Sequence, residues 1–208
     1  MPILRGSVTF ARFHVDPKAV PRDARHFFSR ALARGAFEPL DVQRGEEDRA
    51  AGFVTLTDAD STDFAGGVLE SGRALFAFRV DTLRIDAAAV RVELERWAVA
   101  FQAEHKRPPA RRERTAAKGE VRHNLRKRTD PTTRVFDVSW NLGSGEILVW
   151  AASRKAVEEI AAALETAFEV NPAPRSVAAL AAAQKIPEDA LAPTPELMGL
   201  AGQEVPHV

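Results

Sequence analysis

Asp58, Asp60 and Asp63 crowd into the stretch TDADSTDFAGG and make a divalent cation the first chemistry to consider. A calcium loop needs oxygen ligands at positions 1, 3 and 5, glycine at 6 and a bidentate glutamate at 12. Counted from Asp58, position 6 is Asp63 and position 12 is Leu69, so the stretch reads as a solvated acidic turn. His14, His26, His105, His123 and His207 share no HxH or HExxH spacing, and without cysteine no zinc ligand set can be completed. NLGSGE lacks the Lys-Ser/Thr ending of a phosphate loop, and Gly143-Ser144-Gly145 falls one residue short on each side of a nucleophile elbow. No catalytic constellation is complete. The chain therefore reads as a non-enzyme that needs no metal or cofactor; a nuclease would have to assemble Asp and Glu from distant positions.

A charge pattern remains. The segment Lys106 to Arg128 holds ten Lys or Arg and only Glu113 and Glu120, a local charge of +8 in a chain of 29 basic and 29 acidic residues. The rest of the chain must then carry −8, so the signs are segregated, and a polyanion meets local potential rather than net charge. Arg111, Arg114, Lys118, Arg122 and Arg126 recur at three- and four-residue steps and stack along one ridge of a helix. Lys106, Arg107, Arg112, Lys127 and Arg128 flank them. Like charges in that register oppose helix formation by about 0.2–0.5 kcal/mol per adjacent pair, a cost that bound phosphates would offset. The ridge has few Asn or Gln to read base edges and no aromatic for stacking. It therefore predicts phosphate contact with duplex DNA, weak sequence preference and steep salt dependence.

The elements that must hold this ridge follow from periodicity. GSVTFARFHV (6–15), GFVTLT (52–57) and RALFAFRVDTLRI (73–85) read as strands, the last with Phe76, Phe78 and Val80 on one face and Arg79 and Asp81 on the other. PRDARHFFSRALARG reads as a helix opening near Pro21 and ending at Gly35. Asp86 caps a long helix whose seam is Val90, Leu94, Trp97 and Phe101, which predicts a buried Trp97. Pro108 and Pro109 end it, and the basic helix follows over roughly 110–127 with a thin stripe of Ala117, Val121 and Leu125. TRVFDVSWNLGSGEILVWAAS is a hairpin turning at NLGSG, after which Ser153 caps a helix with the stripe Val157, Ile160, Leu164 and Phe168. The fold class is α+β, a largely antiparallel sheet with helices on one face and a long and a basic helix inserted between strands.

Residues 1–170 form the expected DNA-binding region. Residues 171–208 read as an Ala/Pro-rich tail with short helical pieces such as SVAALAAAQ, its last dozen residues disordered. Charges at Arg5, Arg12 and Asp16 break any signal-peptide core, and no apolar run reaches the ~18 residues of a membrane helix. With no cysteine, a cytoplasmic location fits best.

The run from GRALFAFRVDTLRIDAAAVRVELERWAVAFQ through RRERTAAKGEVRHNLRKR to FDVSWNLGSGEILVWAASRKAVEEIAAALETAF resembles the RdgC family of bacterial recombination-associated proteins. Lys118, Val121 and Leu125 fit that family's basic helix, and Asp137, Gly145, Ala152, Ser153, Lys155, Ala156 and Glu158 fit its hairpin and following helix. AFEPL and AAGFV are similar to its Phe-x-Pro and Gly-Trp elements, with Phe53 in place of Trp. The pattern covers roughly residues 5–170; family members continue further, and LRKRTDPTTRVF replaces their proline-aromatic segment. The resemblance implies a sequence-independent binder of double-stranded DNA, homodimeric and nucleoid-associated, that acts beside recombination proteins and restrains RecA-driven recombination. The competing reading is a protein-interaction module whose basic helix docks on an acidic partner, with GEEDRAAG and TDADSTD as candidate acidic surfaces.

Overall fold

Period-two alternation in RALFAFRVDT and TTRVFDVSWN produces the two longest strands, and their antiparallel ladder from Arg73↔Asn141 to Thr82↔Thr132 is the spine of the sheet. A computed structural model describes residues 9–187. Their elements are β1 (Ala11–His14), α1 (Ala24–Arg34), β2 (Arg49–Val54), β3 (Leu69–Glu70), β4 (Arg73–Thr82), α2 (Ala87–His105), α3 (Arg111–Arg126), β5 (Thr132–Asn141), β6 (Glu146–Val149), α4 (Arg154–Phe168), β7 (Ala173–Pro174) and α5 (Val177–Ala183). The sheet order is β2-β4-β5-β6-β1-β7, with β3 also on β4, and every strand ladder is antiparallel. This is the expected α+β architecture. Residues 6–8 of the expected first strand and the expected disorder of the last dozen residues lie outside the described residues.

The two faces of the sheet differ. Ala74, Phe76, Phe78 and Val80 of β4 and Val138 and Trp140 of β5 point into a core closed by α1 and α4. Phe168 of α4 is the hub, with ring centroids 5.1 Å from Phe28, 5.2 Å from Trp140, 6.1 Å from Phe76 and 6.2 Å from Phe53. On the opposite face Ala77 packs with Phe37 and Val54, and Arg79 grips Asp81 through two hydrogen bonds of 2.9 and 2.8 Å. The Arg79 guanidinium also lies 4.4 Å from the Phe37 ring centroid, and Thr133 donates to Asp81 at 2.8 Å. Burial alone would push the Asp81 carboxyl up; the bonds from Arg79 and Thr133 outweigh it and hold it below its ordinary value.

Several boundaries shift for local reasons. Asp23, rather than Pro21, starts α1, because its carboxylate accepts from the His26 N–H at 3.1 Å. β2 runs Arg49–Val54 and so begins earlier than GFVTLT; a side chain at Gly52 would strike the Phe37 backbone, 2.5 Å from an added Cβ. In the β5–β6 turn Asn141 accepts from the N–H groups of Gly143 and Ser144, and Gly145 sits at φ 68° with its carbonyl accepting from Val15 N. That left-handed position beside the Val15 carbonyl admits no Cβ. After α4 the chain pairs once more with the sheet, β7 against β1, before α5. Among the described residues no helix is long and apolar enough to cross a membrane.

Candidate nucleic-acid interface

The sequence between β4 and β5 folds as an antiparallel helical hairpin, α2 up and α3 back, whose helices pack chiefly on each other. Asp86 starts α2 by accepting from Ala88 N at 3.0 Å, as its type predicts. Lys106 ends it in the left-handed region, φ 54°, with its N–H on the Gln102 carbonyl. Glu113 then opens α3, accepting from Ala110 N at 2.7 Å and taking a two-point ion pair from Arg107 at 2.9 and 2.6 Å. Alanine at the cap position supplies no acceptor in return, so the carboxylate serves the turn alone. The Arg107 bonds first, and the Ala110 N–H second, bring the Glu113 carboxyl down to about 2. Arg107 also lies 5.1 Å from the Phe101 ring centroid, within an aromatic ladder Trp97–Phe101–His105 along α2.

Two helices alone cover only one side of a seam. Val90, Pro109 and Ala117 are buried, whereas Leu94, Trp97, Phe101, Val121 and Leu125 are half-buried and Val99 is 72% exposed. The expectation of a buried Trp97 is therefore corrected: its ring touches Phe101 on one side and opens into a groove on the other. That groove, about 730 Å³, joins the apolar surfaces of Leu94, Trp97 and Ala98 to the cations Arg91, Arg111, Arg114 and Lys118, with Glu95 as its one acid. Trp97 thus belongs beside the basic residues, a neighbourhood hidden by reading α2 and α3 as separate helices. The two prolines between them signalled the reversal that creates it.

Arg111, Arg112, Arg114, Lys118, Arg122, Lys127 and Arg128 are exposed and form no ion pair among the described residues. The run Arg111–Arg122 spans eleven residue steps, roughly 16 Å of helix, comparable to five base pairs at 3.4 Å each. Lys106 and Arg107 are also exposed, Lys106 as the cap of α2 and Arg107 committed to Glu113. Arg126 departs from the ridge. Its side chain is 8% exposed and donates to the Asp48 carboxylate and the Glu47 carbonyl, so it ties the root of the hairpin to the loop before β2. The helical wheel cannot distinguish it from Arg122, because the ridge passes under the sheet-linked loop only at its last turn.

The acidic turn folds on itself. Asp58 accepts from Asp60 N at 2.9 Å, Asp63 accepts from Ala65 N at 3.0 Å, and Asp60 pairs with Arg79. Among the described residues no group of three or more His, Cys, Asp or Glu is placed to hold a metal ion.

A family model described as "Putative exonuclease, RdgC" matches residues 17–192. No curated protein matches the chain.

Proposed function

Since the chain belongs to the RdgC family, and hence among recombination-associated proteins, we propose that it is a non-enzymatic binder of double-stranded DNA whose α2–α3 hairpin contacts phosphates. The observation that carries this reading is the row Arg111, Arg114, Lys118 and Arg122, exposed, consecutive on one helix and without a carboxylate partner among the described residues. Such a row reads charge and spacing, not bases. A homodimer would present two hairpins to one duplex and double the phosphate contacts. Its place would be the nucleoid of the cytoplasm, where it would limit RecA-dependent recombination by occupying duplex.

A second reading has its own observation. The groove beside Trp97 couples apolar surface to four cations and a single acid, Glu95, a chemistry that also suits an acidic peptide with an apolar anchor. Titrating labelled duplex, single strand and heparin over several salt concentrations separates the two. The DNA reading expects duplex to bind best, with log affinity falling by about 0.9 per log unit of salt for each phosphate neutralised. Equal and very weak binding of all three would move the assignment to the protein partner.

A further inference from the structure

A second group of cations is assembled by the sheet. Strand register sets Arg49 opposite Thr82 and Thr82 opposite Thr132, a row across β2, β4 and β5 on paired strands ~4.8 Å apart. Arg134, two residues beyond Thr132 and opposite Val80, lies on the same face. This is the face covered by α4, and its end remains open as a cleft of about 330 Å³. Arg84 and Lys155 complete its walls, and Ser153, whose hydroxyl makes no cap bond to α4, joins Thr82 and Thr132 as an uncharged donor. Glu159 is the one acid lining the cleft and is engaged by Arg49 at 2.5 Å. Arg84, Arg134 and Lys155 form no ion pair among the described residues.

We propose that this sheet-end cleft is a second phosphate-binding site, separate from the α3 ridge. Three unpartnered cations around one cavity repel each other, and an oxyanion removes that penalty. Guanidinium groups suit phosphoryl oxygens because their planar forks bond two oxygens at once, and the hydroxyls donate without adding charge. The cleft lies at the root of the hairpin: β4 leaves it through Arg84 into α2, and α3 returns to it through Lys127, Arg128 and β5. A duplex that follows the ridge toward the end of α3 meets this site next. The phosphate is therefore assigned to the DNA backbone, which rests on the duplex reading of the hairpin; free phosphate is the other source of the same chemistry.

The test compares the unaltered protein, the cleft variant Arg84→Gln/Arg134→Gln/Lys155→Gln and the ridge variant Arg114→Gln/Lys118→Gln/Arg122→Gln, each checked for an unchanged melting temperature. Duplex binding is measured by anisotropy across salt. The cleft variant should lose affinity on the order of tenfold and lower the salt slope by up to about three. Duplex binding by the unaltered protein with an unchanged cleft variant would overturn the cleft and leave the ridge standing. If the unaltered protein binds no duplex, the hairpin reading fails. The cleft is then decided by titrating inorganic phosphate while following the Arg84 and Arg134 Nε–H resonances. Saturable shifts would assign it to free phosphate, and their absence would overturn it. Should the Gln variant unfold, Arg84→Lys/Arg134→Lys keeps the charge and should preserve the salt slope while weakening affinity.

Discussion

Phe168 and Trp97 are both large aromatics on amphipathic helices, yet they live under different rules. Phe168 is pressed between α1 and the sheet and meets five other aromatic rings. Trp97 has one helix to lean on and keeps part of its indole open to a cation-lined groove. The sheet with α1 and α4 buries apolar surface in two layers and can carry its own stability. The hairpin buries little, is tied down at its root by Arg126 and Asp48, and offers most of its surface to a ligand. A scaffold and a presented arm can therefore be told apart by what truncation costs in each.

The largest expected loss is in the scaffold. Phe168→Ala should destabilise by about 3–5 kcal/mol in urea unfolding, since it empties the hub of the aromatic core. Asp81→Ala should cost ~3 kcal/mol, because it removes a buried carboxylate and leaves the half-buried Arg79 guanidinium without its two-point partner. That carboxyl sits below its ordinary value of 3.8 in the folded protein, so its contribution is complete above that pH and is lost as the pH falls through the lowered value. Unfolding free energies at several pH values between neutrality and the acid limit would show the decline in the parent and its attenuation in Asp81→Asn.

Effects in the arm should be smaller. Trp97→Ala is expected to cost about 1–2 kcal/mol, and a loss equal to that of Phe168→Ala would break the distinction between scaffold and arm. Arg114→Gln/Lys118→Gln/Arg122→Gln should move stability least, at most about 0.5 kcal/mol upward for each relieved pair, while duplex affinity falls and the salt slope becomes shallower by up to about three. Stability and binding would then move in opposite directions, as a ligand-facing surface requires. Unaltered affinity and slope in that triple variant would remove the ridge from the DNA site.

Short-range periodicity was enough to reveal part of this architecture. Alternation of Phe76, Phe78 and Val80 marked β4 and its buried face, the stripe Ile160–Leu164–Phe168 marked α4, and the three- and four-residue steps of Arg111, Arg114, Lys118 and Arg122 marked an exposed basic ridge. Such patterns are visible because a strand repeats every two residues and a helix every 3.6, whatever the rest of the chain does. The remainder depends on contacts between distant segments. Arg126 shares the ridge's spacing and is nevertheless buried against Asp48, 78 positions away. Trp97 has the register of a core residue but lacks a second layer to cover it. Arg49, Arg84, Arg134 and Lys155 come from four separate segments and meet only because antiparallel register aligns β2, β4 and β5 beneath the start of α4. No local pattern encodes that meeting, since it is set by which strands pair and where each ladder begins.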